Sequence, residues 1–367
     1  DRFCVHFSSD RKTAPSSDEF LLQIVAALET TYEVENVGLG WRAPKGDGQR
    51  GARNGIGGEG QTDVYINDLG RKFYGYAAPD PGQAGSRRFA YLVLDNDFTG
   101  FPSAPLESMQ ATVAHEYNHV LQFGYDVLQD GWLFESSATW AEEQVYPRIN
   151  DYLIFLPSFA RQPEESLTGK SKVYGDVVFQ HWLDSRYGPG VIEDEWSLSA
   201  KAKPKHNGAA AVDEAIEAND GRSFSREFAT FAAATAEWRS LDSFPDSRRY
   251  PDVRRRGELG ARWSEFELNR TAYELTDVEN ARGPVKLRVE APRGFPSAIA
   301  LVGRRGSPRG GRVTVESRYL SGGGRGSVKL AKGQGFDRVT AVVINADGGK
   351  GRLRASELPV YEGKLTR

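Results

Sequence analysis

Apolar and polar positions in the first hundred residues follow two different periods. Residues 3–7, 63–67 and 89–94 are rich in β-branched and aromatic side chains, which predicts three short strands. Apolar residues recur with helical spacing over residues 18–32, and Ser16 followed by Glu19 resembles a capping box at the start of that helix. The pattern predicts a small mixed or antiparallel sheet accompanied by helices.

Between residues 105 and 238 the pattern becomes helical. Pro105 suits a first helical turn and Gly124 suits a stop, so we predict one helix over residues 106–123. The same periodicity predicts four further helices, over residues 132–143, 173–186, 212–217 and 224–238.

The pattern changes again after residue 250. Residues 246–262 are basic and contain proline, which predicts a linker. Beyond it, glycine turns separate short β-rich runs at residues 285–289, 299–302, 312–315 and 339–344. We therefore predict an α+β fold with a first domain over residues 1–250 and an all-β, sandwich-like accessory domain over residues 260–367.

Composition excludes several classes of protein. The 367 residues carry a net charge of −3, which does not indicate a basic surface for binding nucleic acid. No apolar run is long enough to span a membrane. Cys4 is the only cysteine, so an intramolecular disulfide and a multi-cysteine metal site are both excluded. We interpret Cys4 as a small buried apolar residue and His6 as structural or solvated.

Positive charge is concentrated in the last part of the chain. Residues 251–367 contain 23 Lys and Arg against 13 Asp and Glu. Residues 254–256 and the loops of residues 304–312 could contact an anionic polymer or a cell surface. The alternative is that these arginines lie in ordinary solvated loops.

The segment from Ala114 to Val120 carries the strongest chemical signal. His115 and His119 are four residues apart, so on a helix their imidazoles project from one face and can share a metal ion. Glu116 follows His115 and can reach a metal-activated water molecule without being a ligand. The alternative is a helix with two solvated histidines.

A catalytic zinc ion needs a third protein ligand and an open fourth position. Glu135 follows His119 on a second amphipathic helix, next to small residues that would let two helices pack closely. Glu142 falls near the same face and could accept a hydrogen bond from a ligand histidine. A solvated surface carboxylate is an equally good interpretation of Glu142.

These motifs resemble the gluzincin zinc metallopeptidases, the superfamily of thermolysin and aminopeptidase N. The resemblance implies zinc bound by His115, His119 and Glu135, with Glu116 as the general base. Ala138, Trp140 and Glu142 are similar to the aminopeptidase-type helix, whereas the thermolysin pattern would place Asn and Asp where Phe134 and Thr139 stand.

One aminopeptidase element has no counterpart. The Gly-x-Met-Glu-Asn loop that captures a free amine is absent, since the only methionine, Met109, lies inside a predicted helix. The resemblance therefore favours an endopeptidase that acts on a protein or peptide substrate.

Residues 1–190 also resemble a little-characterised family of predicted secreted bacterial metallopeptidases, through residues 3–6, 63–70, 74–76, the zinc helix and residues 140–152. That resemblance implies secretion. A second cysteine often follows the Tyr-Gly-Tyr element in the family, but Ala77 and Ala78 stand there in this chain.

The resemblance also suggests how the reaction would be completed. Gluzincins commonly donate a hydrogen bond to the transition state from a Tyr or His on a later helix, which points to Tyr174 at the start of the predicted helix over residues 173–186. Tyr152 and His181 are second candidates. Residues 89–94, which precede the zinc helix, are the predicted strand that holds an extended substrate by backbone pairing.

Two alternatives to a peptidase stay open. The chain could be a zinc-fold binding or cell-surface module without activity, or a zinc hydrolase that acts on a non-peptide amide or ester.

A calcium site is a separate prediction. Asp95 and Asp97, followed by Thr99 and Gly100, resemble the start of a calcium loop. A turn that leads into the zinc helix is the competing interpretation of that segment.

Overall fold

The computed structural model describes residues 2–46, 60–278, 283–331, 335–349 and 357–366. The fold is α+β, as the sequence predicts. The described residues contain eight α-helices, all before residue 235, and a β-rich part follows them. Among the described residues, no helix combines the length and apolar character needed to cross a membrane.

A four-stranded sheet forms the N-terminal part. Its strands are β1 (Phe3–His6), β2 (Thr62–Asn67), β3 (Gly75–Pro79) and β4 (Ala90–Asp95). The order is β1-β2-β4-β3, with β3 antiparallel to β4 and the other neighbours parallel. Both edges of β4 are therefore paired, so the prediction that residues 89–94 bind an extended substrate is wrong. The edge strand on that side of the sheet is β3.

Three helices position the candidate site: α1 (Asp18–Tyr32), α2 (Pro105–Asp126) and α3 (Gly131–Val145). The bounds of α1 agree with the prediction, but Ser17 rather than Ser16 caps it, because the Ser17 side chain accepts a hydrogen bond from Phe20 N at 3.0 Å. Pro105 occupies the first turn of α2, as predicted. The central helix α2 packs against α1, α3, β3 and β4, and most of its side chains are buried.

Five shorter helices complete the helical part: α4 (Leu156–Arg161), α5 (Val177–Tyr187), α6 (Gly190–Ser197), α7 (Gly208–Ala218) and α8 (Phe224–Ala234). Helix α5 begins four residues later than predicted. The residues before it form turns, in which Val177 N donates to Tyr174 O and Val178 N donates to Gly175 O, three residues back, instead of the fourth residue back as in an α-helix. Helix α8 ends earlier than predicted and continues as a 3-10 segment, Thr235–Ser240, in which Glu237 leaves helical geometry.

The β-rich part contains two sheets, as the sandwich prediction requires. The first has the order β10-β9-β12-β7-β5 and the second β11-β8-β13-β6. Their strands are β5 (Arg255–Leu259), β6 (Ser264–Glu267), β7 (Ala272–Val278), β8 (Val285–Ala291), β9 (Ser297–Arg305), β10 (Arg312–Leu320), β11 (Gly324–Leu330), β12 (Arg338–Asn345) and β13 (Val360–Thr366).

An apolar core joins the two sheets. Leu287 and Val289 of β8 and Ile299 and Leu301 of β9 belong to this one buried cluster. The pairs are antiparallel except that β5 and β7 are parallel, so the expectation of a purely antiparallel sandwich is wrong at one edge.

Residues 246–262 do not form the linker that the sequence predicts, because part of this stretch is buried and part forms a strand. Tyr250 and Val253 are buried, with the Tyr250 ring 5.0 Å from that of Trp238, and β5 begins at Arg255. One apolar cluster includes side chains from both parts, such as Phe228 of α8 and Tyr273 of β7. The helical and β-rich parts thus pack on one another, and the division into domains at residues 250–260 stays a prediction.

Buried ion pairs reinforce this contact. Arg304 of β9 pairs with Glu237 at 3.0 Å, and Arg255 of β5 lies 3.8 Å from the same residue. Both arginine side chains are about nine-tenths buried, at 8% and 10% exposure. The suggestion that these two arginines contact an external polymer is therefore wrong, because both side chains are buried in ion pairs within the protein. Arg255 also lies 3.3 Å from Asp277 of β7.

Candidate metal centre

Helix α2 brings His115 and His119 together on one face. The two rings stand nearly perpendicular, with centroids 4.6 Å apart and an interplanar angle of 88°. Both residues are buried to more than nine-tenths. The alternative of two solvated histidines is therefore inconsistent with the structure.

Helix α3 supplies Glu135 to the same point. Glu135 Oε2 lies 3.2 Å from His115 Nε2 and 3.6 Å from His119 Nε2. The three donor atoms lie within 4.8 Å of one another, so two imidazole nitrogens and one carboxylate oxygen face a common point. This donor set is the His₂Glu set of catalytic zinc sites, and the residues present fit the predicted ion.

The other ring nitrogens are held by hydrogen bonds. His115 Nδ1 lies 2.7 Å from Glu142 Oε1, which agrees with the first of the two interpretations of Glu142 and not with a solvated surface carboxylate. His119 Nδ1 lies 2.7 Å from Gln122 Oε1, a partner that the sequence analysis missed. Because each Nδ1 has an acceptor, both Nε2 atoms can present their lone pairs to an ion.

Gln122 is itself fixed from both sides. Its Nε2 donates to Asn118 Oδ1 at 2.6 Å and to Ser137 Oγ at 3.0 Å, which links α2 to α3. Asn118 donates in turn to Glu35 Oε2 at 2.8 Å. Gln122 lies three residues after His119, a spacing at which helical side chains meet, so the sequence held a weak signal for it.

The protonation equilibria of the cluster favour a positive charge at its centre. Burial lowers the pKa of His115, but hydrogen bonds to Glu135 and Glu142 outweigh burial and hold this pKa well above its usual value. Burial would raise the pKa of Glu135, but hydrogen bonds to His115 and His119 keep it well below its usual range. Burial raises the pKa of Glu142 to about 7. A bound cation would take the place of the proton that these groups share.

Glu116 lines a cleft of about 370 Å³ beside the three donor atoms. The cleft is bounded by Tyr74 and Gly75 on one side and by residues that follow α3 on the other. Its other lining residues include acidic Glu142 and Asp151 and apolar Ile154 and Phe155. Gly75 and Asp151 lie in segments that carry the family resemblance, but the sequence analysis assigned neither of them a role in the site, and it found no signal for Phe155.

Tyr174 reaches the centre from the turn before α5. Its ring centroid lies 5.9 Å from that of His115, and its ring stacks on Phe155 at 4.9 Å. The side chain is 39% exposed and lines the cleft. Burial, the charge of Glu135 and a hydrogen bond with Glu135 raise the pKa of Tyr174, so the hydroxyl keeps its proton and can donate it.

The two second candidates are engaged elsewhere. Tyr152 is fully buried, and its hydroxyl donates to Pro245 O at 3.0 Å. His181 is buried against the Tyr152 ring, with centroids 5.0 Å apart, and burial lowers its pKa to about 3. Neither residue lines the cleft.

The segment from Asp95 to Gly100 forms a turn. Asp95 Oδ1 accepts a hydrogen bond from Leu69 N at 2.9 Å, and Asp95 Oδ2 accepts one from Phe98 N at 2.8 Å. Asp97 Oδ1 accepts one from Thr99 N at 2.8 Å. Because backbone N–H groups use these oxygens, the geometry favours the competing interpretation of a turn, and calcium binding stays a prediction without support here.

Comparison with known proteins adds one relationship. Residues 102–256, which include the whole candidate centre, match the model of a family of unknown function (DUF6055). No curated protein matches the chain. The matched segment is about two-fifths of the chain and includes α2 and α3 together with the turn that carries Tyr174.

Proposed function

We propose that the chain is a zinc-dependent metalloendopeptidase. The observation that carries the proposal is the convergence of His115 Nε2, His119 Nε2 and Glu135 Oε2 within 4.8 Å, beside a cleft that Glu116 lines. When bound there, zinc would polarise a carbonyl group and activate a water molecule. A structural zinc site would be closed by a fourth ligand, whereas three protein ligands leave a position for substrate.

The chain's own residues then have separate tasks. Glu116, as general base, takes a proton from the attacking water and can pass it to the leaving amine, a role worth about 10²–10⁴ in rate. Tyr174 donates its hydroxyl proton as a hydrogen bond to the negative charge that develops on the carbonyl oxygen. Glu142 and Gln122 hold the two imidazoles in orientation through their Nδ1 atoms.

An extended substrate would pair with β3. Among the described residues β3 has β4 as its only strand partner, so its second edge is available for backbone hydrogen bonds. Gly75, the first residue of β3, lines the cleft together with Glu116. A peptide added at this edge would therefore bring its carbonyl groups past the general base.

The proposal includes secretion, which rests on the family resemblance, and a protein or peptide as substrate. The apolar side chains of Ile154 and Phe155 in the cleft are suited to a peptide with an apolar or aromatic side chain near the cleaved bond. Contact of the basic β-rich part with a cell surface remains a separate hypothesis, carried by the arginines other than Arg255 and Arg304.

The test is mass-spectrometric profiling of a diverse peptide library with the wild type and Glu116→Gln. Glu116→Gln keeps the shape of the side chain and removes the base, so we expect internal cuts with the wild type only, while zinc content stays equal. Loss of single N-terminal residues would instead identify an exopeptidase.

Two other outcomes would overturn the proposal. Cleavage by both proteins at equal rates would remove Glu116 from the chemistry. The absence of cleavage from a zinc-loaded wild type would favour a binding module or a hydrolase for other amides and esters, and an ester and amide panel would separate these two.

A further inference from the structure

A second group of metal-ligating side chains lies on the outer face of the N-terminal sheet. Strands β1 and β2 pair in parallel, with Cys4 opposite Asp63 and His6 opposite Tyr65. Because side chains alternate along a strand, Cys4 and His6 point to the same side, away from Phe3, which packs against Tyr117 of α2.

The three side chains converge closely. His6 Nε2 lies 2.8 Å from Asp63 Oδ1, and one donor atom each of Cys4, His6 and Asp63 lies within 4.8 Å of the other two. The His6 ring is stacked on Tyr65, with centroids 4.7 Å apart and an interplanar angle of 18°, which fixes its plane. The ligand atoms of His115, His119 and Glu135 also lie within 4.8 Å of one another.

The position is accessible without being freely solvated. The side chains of His6 and Asp63 are 23% and 13% exposed, and Cys4 is half-buried, so the interpretation of Cys4 as a buried apolar residue is wrong. An ion can therefore enter from solvent, and water can complete its coordination.

We propose that Cys4, His6 and Asp63 bind a second zinc ion. A thiolate, an imidazole and a carboxylate are the three ligand types that zinc takes in proteins, whereas magnesium and calcium prefer oxygen ligands alone. On binding, the Cys4 thiol releases its proton to solvent as the sulfur–metal bond forms. His6 Nε2 exchanges its hydrogen bond to Asp63 for the metal, and its proton resides on Nδ1.

This site is separate from the proposed catalytic centre. The sheet order places β1 at one edge and β3, which borders the cleft, at the other, with two strands between them. At about 4.8 Å per strand, the two edges are about 14 Å apart. A metal here would tie β1 to β2, which lies some sixty residues later in the chain, and would stabilise this edge of the sheet.

The test uses cobalt as a spectroscopic probe of the full-length protein. Because Cys4 is the only cysteine, a thiolate-to-cobalt charge-transfer band in the near ultraviolet can come from this site alone. We expect the band with the wild type and with His119→Ala, and its complete loss with Cys4→Ser. The His119→Ala control makes the result independent of the proposed peptidase.

Two further variants distinguish a site with three ligands from metal binding by the Cys4 thiol alone. His6→Gln and Asp63→Asn keep Cys4 and remove one ligand each, so we expect cobalt and zinc affinity at this site to fall at least tenfold, with unchanged far-ultraviolet circular dichroism. Absence of the band from the wild type, or unchanged affinity in both variants, would overturn the proposal and leave adventitious thiol binding only.

Discussion

Gly75 of β3 and Glu116 of α2 approach so closely that no side chain fits between them. A Cβ atom on Gly75 would lie 3.3 Å from Glu116 Cγ, 2.9 Å from Thr112 Cγ2 and 2.9 Å from Val93 O. Because Val93 O is a backbone atom of the paired strand, the contact cannot be relieved by a rotamer change. The close packing of β3 against the helix that carries Glu116 therefore requires glycine at position 75.

Gly75→Ala should therefore damage both packing and activity. We expect a loss of about 1–3 kcal/mol in the free energy of unfolding from the added methyl group. Displacement of Glu116 by a fraction of an ångström to one ångström should lower kcat/KM by about 10–10²-fold. Chemical denaturation and peptide hydrolysis measure the two effects.

Gly124→Ala is the matched control for Gly75→Ala. Gly124 lies in α2, and a Cβ atom there would meet nothing within 4 Å. Alanine in a helix is favoured over glycine by about 1 kcal/mol, so this variant should be as stable as the wild type or more so, with full activity. Equal effects of the two substitutions would contradict the account of Gly75.

Tyr174→Phe tests the hydrogen-bond donor of the proposed mechanism. Phenylalanine keeps the stack on Phe155, at 4.9 Å between centroids, and removes only the hydroxyl. We expect kcat to fall about 10²–10³-fold with KM nearly unchanged, because the hydrogen bond to the developing oxyanion forms only in the transition state. The variant also removes the hydrogen bond between Tyr174 and Glu135, so zinc content is measured alongside. A rise in KM with unchanged kcat would make Tyr174 a substrate-binding residue instead.

The Nδ1 partners of the two histidines should tune metal affinity. Gln122→Ala removes the acceptor of His119 Nδ1 and leaves the three donor atoms in place. We expect zinc affinity to fall about 10–100-fold, as is usual when such an outer partner is lost, measured by competition with a chelator. Glu142→Ala should act in the same way on His115, and unchanged affinity in both variants would contradict the orienting role.

His181 should make stability depend on pH. Burial lowers its pKa to about 3 in the folded protein, against about 6.5 in an unfolded chain. Below about pH 6.5 the unfolded chain therefore binds a proton that the folded protein refuses until about pH 3, so this residue destabilises the fold as pH falls through that window.

The variant His181→Asn isolates this contribution. The difference in unfolding free energy between wild type and variant should change by about 1.4 kcal/mol per pH unit between pH 6 and 4, in the direction of a relatively less stable wild type at low pH. Urea titrations of both metal-free proteins measure it. A difference that does not vary with pH would mean that His181 is protonated in the folded state.

Local spacing predicts what a single helix presents. His115 and His119 share a face of α2 because they are four residues apart. By the same geometry, Glu142 falls near the face of α3 that carries Glu135. Glu135 needed one more step, that two helices joined by a short turn pack together, and small residues such as Ser136 made that step reasonable.

The remaining features depend on pairing between distant segments. That β3 rather than β4 is the edge strand follows from sheet order, which no local pattern encodes. The cluster of Cys4, His6 and Asp63 exists because β1 pairs with β2, and the sequence alone gives no register for that pair. The helix predicted over residues 173–186 begins four residues later for a similar reason, because Gly175 packs tightly against Phe159, outside its own segment, where the chain forms a turn.

Anomalous diffraction from crystals of the wild type, recorded above and below the zinc absorption edge, would show whether zinc binds between α2 and α3. We expect a peak that disappears below the edge and lies within bonding distance of His115 Nε2, His119 Nε2 and Glu135 Oε2, about 2.0–2.2 Å from each atom. A map without a peak there, from protein purified and crystallised with zinc, would contradict the metal centre and the peptidase built on it.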